Sequence, residues 1–205
     1  MWRHVHHRLV VGYHGCDRAI AERVLLGRDH LKASDNDYDW LGTGVYFWEH
    51  SRRRALEFAR WKQEKGQVDE PAVIGAYIFL GRCFDLTDTE ATAQLSGFYE
   101  DYQVAQTALE LPLATNRPAR GAGDDLLLRR LDCAVLNLGL QNLDSARGRG
   151  RPFYQTVRGV FVEGAEAYPG AAIRLQTHVQ VAVRDSGCIL GYFMPTEYDE
   201  VEELT

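Results

Sequence analysis

The chain has 205 residues, 23 of them basic and 29 acidic, for a formal net charge of −6. Apolar residues make up 45% and aromatic residues 11%, too much burial drive for a disordered chain and enough for a core without metals or disulfides. No apolar run reaches the roughly eighteen residues of a membrane span, no secretion-signal pattern opens the chain, and the acidic balance argues against a dedicated surface for duplex nucleic acid. The expectation is a single cytoplasmic domain over residues 1–205.

Residues 8–13 are β-branched and aromatic and read as a strand ended by His14-Gly15. Upstream, His4, His6 and His7 alternate as along a frayed strand end, a plainer reading than a metal site. Asp17 suits an N-cap, and Ala19, Ile20, Val24 and Leu25 recur at helical spacing up to Gly27. Residues 28–41 form a polar loop, and Gly42-Thr43-Gly44 opens a second strand at 45–48. Ser51 caps a helix to about residue 65, with Ala55, Phe58 and Ala59 on its apolar face.

Residues 72–80 are almost continuously apolar, as a central strand requires. From 87 to about 144 the texture turns helical: Leu95, Phe98, Tyr99, Tyr102 and Ala105 keep one helical period, and Leu127, Leu131, Val135 and Leu138 another. A loop at 114–123 separates them. Arg147, Arg149 and Arg151, spaced by glycines, make a basic loop. Strand texture returns at 156–163, 177–184 and 188–194, so the fold class is α+β with a mixed sheet. Cys16, Cys83, Cys133 and Cys188 lie in or beside apolar segments with no C-x-x-C pair, and read as buried free thiols.

Three features carry chemistry. Glycine after His14 lets a ligand approach the backbone, whose N–H and C=O match a planar amide, while the imidazole can bond a hydroxyl. Gly42-Thr43-Gly44 opens into a strand rather than a helix, which excludes a dinucleotide loop of the Rossmann kind but holds Tyr46 rigidly. Trp48 on the same strand reads as core. Gln180 is polar within the apolar run His178-Val179-Gln180-Val181-Ala182-Val183, so its amide pairs with a neighbouring group or faces a cleft.

Taken in order, these segments resemble the diphtheria-toxin-like ADP-ribosyltransferases, which include the poly-ADP-ribose polymerases. Tyr13-His14-Gly15-Cys16 is similar to that family's Trp-His-Gly-Ser, and Gly42-Thr43-Gly44-Val45-Tyr46-Phe47 to its Gly-Lys-Gly-Ile-Tyr-Phe. Gln180-Val181-Ala182-Val183-Arg184-Asp185 falls where the family has Glu-Tyr-x-Val-Tyr-Asp, and Cys188-Ile189-Leu190-Gly191-Tyr192-Phe193 matches its final strand in texture. The resemblance covers about residues 8–65 and 156–195.

The resemblance implies two packed β-sheets with flanking helices, NAD in the cleft between them, and a helical insertion (87–144) on the rim. It implies His14, Tyr46 and Gln180 as catalytic residues of a bacterial-type enzyme. Gly15 would hold the nicotinamide carboxamide, and Tyr46 would stack on the pyridinium, a contact of about 1–2 kcal/mol. His14 would bond the adenosine ribose, Phe58 would supply a second ring, and Lys32 would meet the pyrophosphate. Glutamine at 180 keeps a hydrogen bond but lacks the family's charge, which implies mono-ADP-ribosylation and an acceptor activated elsewhere, by Glu163 first or Glu49 second. The acceptor would be a protein or a nucleic acid, the latter met by Arg147, Arg149 and Arg151, with no metal and no membrane involved. A toxin or defence role, with an antitoxin partner, goes with this reading. An NAD glycohydrolase or a non-catalytic NAD- or ADP-ribose-binding module stands as the alternative; the tRNA 2′-phosphotransferase branch lacks the Gly-x-Gly-Val-Tyr-Phe segment.

Overall fold

The computed structural model describes residues 5–119, 125–147, 150 and 152–196. The chain runs β1 (Val5–Asp17), α1 (Arg18–Leu25), β2 (Val45–Glu49), α2 (Arg52–Glu64), β3 (Pro71–Asp85) and α3 (Thr89–Ala108). It continues through the short strands β4 (Asn116–Arg117) and β5 (Leu128–Arg129), then α4 (Arg130–Arg147), β6 (Thr156–Phe161), β7 (His178–Val183) and β8 (Ile189–Phe193). The expected α+β class is what forms. Both predicted caps are in place: the Asp17 carboxylate accepts from the Ala19 N–H, and the Ser51 hydroxyl accepts from the Arg54 N–H. Each such cap contributes about 1 kcal/mol.

Six strands pair in the order β1-β2-β7-β6-β3-β8, and β3 also pairs with β1, so the ladder closes on itself. All pairings are antiparallel except β3 with β6, which run parallel at Cys83–Thr156 through Asp85–Arg158. This corrects the expectation of two sheets packed face to face. The reason is the length of β3. At 15 residues it pairs with β1 from Pro71 to Arg82 and still reaches β6 with its last three, leaving no gap between two separate sheets.

The helical insertion is also placed differently from the expected rim position. Phe98 and Tyr102 of α3 and Leu136 and Leu140 of α4 share one buried cluster with Phe84, Val157 and Ala182 of the sheet. The pair of helices therefore completes a core. The opposite sheet face buries Phe47, Ile74, Ile78 and Val181 with Ala21 and Val24 of α1. A third cluster under α2 joins Trp48, Ala55 and Val73, with Tyr13 and Phe58 packed against it, so Trp48 is core as expected.

All four cysteines are buried and free. The basic loop after α4, with Arg149 and Arg151, lies outside the described residues, as does His4. Among the described residues no helix is long and apolar enough to cross a membrane, and no group of three metal-ligating side chains gathers.

Candidate active site

The site begins where two strands part. β1 pairs with β2 only at Gly12–Glu49 and Tyr13–Trp48. Continuing that register would set Gly15 against Tyr46. Instead, the Tyr46 carbonyl accepts a hydrogen bond from His14 Nδ1 at 2.7 Å, so the imidazole closes the end of the ladder. A carbonyl only accepts, so the proton sits on Nδ1 and Nε2 keeps its lone pair.

Alternation along β1 fixes the neighbouring backbone. The Val11 carbonyl accepts from the His50 N–H at 2.9 Å, on the β2 side. In an antiparallel ladder successive residues face opposite edges, so Tyr13 and Gly15 turn their amide groups the same way as Val11. At Gly15, β2 has already parted, and its N–H and C=O face the opening. The other side of Gly15 is filled by α2: a Cβ there would lie 2.0 Å from the Ala55 carbonyl oxygen. Only glycine allows the helix so close.

Tyr46 is held rigidly, as expected. Its hydroxyl donates to the Gly42 carbonyl at 2.8 Å and accepts from the Leu41 N–H at 2.9 Å. Gly42 takes a positive φ of 76°, and the Thr43 N–H donates to Asn137 Oδ1 of α4 at 2.8 Å, so the helical insertion pins the loop beneath the ring. Burial raises the Tyr46 pKa well above that of a free phenol, which keeps it neutral. The ring is half-buried against the α3–α4 cluster.

Gln180 lies on the strand next to β2. Tyr46 pairs with Ala182 and Trp48 with Gln180, so Tyr46, Trp48 and Gln180 share one face. The partner of its amide comes from outside the sheet: Trp40 Nε1 of the 28–41 loop donates to Gln180 Oε1 at 2.6 Å. An indole N–H can bond only the amide oxygen, so the Gln180 NH₂ group remains as the donor. Trp40 is 7% exposed and packs edge-on to Phe161. With Leu95, Tyr99, Val135 and Leu136 it also lines a pocket of about 320 Å³.

On α2, Phe58 stacks on Trp61 with centroids 5.7 Å apart and meets Trp48 at 5.0 Å. Lys32 is exposed and forms no ion pair among the described residues. Burial dominates the titration of His14 and Cys16, lowering the one and raising the other, and the charge of nearby Lys62 adds to the first shift and opposes the second. Sequence reasoning passed over Lys62, although its spacing from Ala55, Phe58 and Ala59 sets it on the same helix face.

The two glutamates differ. Glu163 accepts from Arg54 through both oxygens at 3.1 Å and lies 3.9 Å from His178 Nδ1, near the Gln180 face. Glu49 is spent elsewhere: both its oxygens bond Arg158, at 2.6 and 3.2 Å, in a buried group with Asp85. Glu49 pairs with Gly12 one step beyond Trp48, so it faces away from Gln180. The second-choice glutamate is thereby removed from the site.

His178, 8% exposed, donates from Nδ1 to the Gln176 carbonyl at 2.7 Å and stacks on Phe161, while Nε2 is buried with no partner among the described residues. Burial pushes the pKa of both His14 and His178 down to about 4. With folded pKa values below the unfolded 6.5, stability is full above pH 6.5, falls as pH drops toward 4, and levels off below. The His178 share is about 3 kcal/mol. Urea unfolding midpoints at pH 7 and pH 4.5 should differ accordingly, and His178→Phe should flatten the difference.

No family model and no solved structure matches the chain. It is similar to an uncharacterized protein of Methanocaldococcus jannaschii, 36% identical over 83 residues. The match covers 38% of this chain and 37% of that protein.

Proposed function

We propose that the opening between β1 and β2 binds NAD and that the protein is a mono-ADP-ribosyltransferase acting on a macromolecule. The parting of the strands at His14 and Tyr46 carries this reading. It leaves a backbone N–H and C=O at Gly15 for a carboxamide, a lone pair at His14 Nε2 for a ribose hydroxyl, and the Gln180 amide on the adjoining strand. Tyr46 and Phe58 supply the aromatic walls for nicotinamide. In the reaction the bond from ribose C1′ to nicotinamide breaks, nicotinamide leaves with the electron pair, and the acceptor bonds C1′ and loses its proton. Glu163 is the candidate for drawing that proton, with Arg54 holding it. Gln180 supplies no charge, so one transfer rather than chain growth is expected. A toxin or defence role, with an antitoxin partner, belongs to this reading.

The test is incubation of the protein with NAD labelled on its adenylate phosphate and a cell extract, then protease or nuclease digestion. Label on a macromolecule supports transfer, and the digestion that removes it tells protein from nucleic acid. Nicotinamide release without a labelled acceptor turns the assignment to a glycohydrolase. Binding without release turns it to an NAD- or ADP-ribose-binding module, which the Trp40–Gln180 bond favours because it withholds the amide oxygen from substrate. Absence of NAD binding overturns the reading.

A further inference from the structure

We propose that Lys62 is the anion-binding residue of this site and holds the diphosphate of the dinucleotide, an assignment that rests on the NAD reading above. The helix sets its position. Ala55 and Ala59 of α2 press on Gly15, with the Ala55 carbonyl oxygen 2.0 Å and the Ala59 Cβ 3.2 Å from where a Gly15 side chain would begin. Lys62 follows Ala59 by three residues and Ala55 by seven, so it lies on the same face, farther along the helix. Its ammonium sits 4.7 Å from the centroid of the Phe58 ring and, among the described residues, forms no salt bridge.

The surroundings suit a nucleotide rather than a structural ion pair. His14, Cys16 and Asp39 are the groups that Lys62 interacts with through charge. His14 is neutral at physiological pH, and burial raises the Cys16 thiol to about 11, so neither is an anion there. Asp39 lies on the 28–41 loop and is held by the Asn36 N–H at 2.9 Å. A half-buried cation without a bonded counter-charge is costly to leave in place, because partial desolvation weakens its hydration. A phosphate bonded to the ammonium supplies the direct ion pair that Asp39, which acts on Lys62 only through charge, does not make. With Gly15 taking the carboxamide and His14 a ribose hydroxyl, the diphosphate between them falls to Lys62, and exposed Lys32 is not needed.

Calorimetric titration of wild type, Lys62→Gln, Lys62→Arg and Lys32→Gln with NAD, ADP-ribose and nicotinamide tests this. Lys62→Gln should lose about tenfold in affinity for NAD and ADP-ribose, as removal of one charged hydrogen bond predicts. Nicotinamide should bind unchanged, Lys62→Arg should restore affinity, and Lys32→Gln should match wild type. Equal NAD affinity in wild type and Lys62→Gln overturns the assignment and leaves the NAD reading standing. Equal loss of nicotinamide and NAD in Lys62→Gln also overturns it, because the effect is then structural. If wild type binds neither dinucleotide nor ADP-ribose, the NAD reading fails. Titration with inorganic pyrophosphate then judges Lys62 alone: binding lost in Lys62→Gln keeps the anion site, and no binding removes it.

Discussion

On the proposed NAD reading, Gln180→Glu is expected to raise nicotinamide release from NAD by about a hundredfold. A carboxylate at this position keeps the Trp40 hydrogen bond through one oxygen, since the indole N–H donates equally well to it. Its second oxygen takes the place of the amide NH₂ and brings a full negative charge to the face shared with Tyr46 and Trp48. Charge developing on the ribose ring in the transition state is stabilised by about 2–4 kcal/mol when such a preorganised group is present. That range corresponds to roughly 30- to 1000-fold in rate. Nicotinamide quantified by chromatography from wild type, Gln180→Glu and Gln180→Ala separates the outcomes. A gain in the glutamate variant aligns position 180 with C1′. Release that is the same in all three proteins removes Gln180 from the mechanism and with it the alignment of the three strands on one dinucleotide.

Much of the local structure around the candidate site is legible in the sequence because local rules dominate there. Asp17 and Ser51 cap the helices that follow them and the Gly42 turn opens β2, whereas Gly15, read as room for a ligand, also seats the α2 backbone, which no local signal shows. Gln180 stands out as a polar group in an apolar strand, a conflict that demands a partner. The identity of that partner is another matter. Trp40 lies 140 residues away in a polar loop, and no periodicity relates them. The strand containing His14 runs on to Asp17 because β3 pairs with it throughout, so tertiary pairing overrides the break that His14-Gly15 signals. The same long-range pairing merges the two expected sheets. Lys62 escaped because a lysine late in a helix reads as a solvated charge, and only the packing of Ala55 and Ala59 on Gly15 shows which way that face turns. Sequence position ranks Glu163 ahead of Glu49 but cannot show the arginine that each one meets, which leaves Glu163 near the Gln180 face and turns Glu49 away from it.

Arg158→Ala should cost about 3–5 kcal/mol of stability, the typical penalty for stranding buried charge. Arg158 on β6 donates to both oxygens of Glu49 at the end of β2 and to Asp85 at the end of β3, with side-chain exposures of 11%, 7% and 3%. Without the guanidinium, Asp85 keeps the Thr87 N–H and hydroxyl as donors, but Glu49 is left with no side-chain donor among the described residues in a desolvated place. For a chain of this size the loss corresponds to a fall in Tm of roughly 10 °C. The site should feel it as well. Glu49 directly follows Trp48, and the next residue, His50, makes the bond to the Val11 carbonyl that lies beside the last paired positions of β1 and β2. A loosened Glu49 therefore shifts the point at which the two strands part, and His14 with it. Thermal unfolding of Arg158→Ala gives the stability term, and ligand titration well below its Tm gives the effect on the site. Replacing all three charges together (Arg158→Met, Glu49→Gln, Asp85→Asn) should recover most of the stability, since the penalty belongs to unpaired carboxylates rather than to the absence of the network. A single Arg158→Ala variant that unfolds at the wild-type temperature would mean that water reaches these carboxylates and that the three strands are held by their ladders alone.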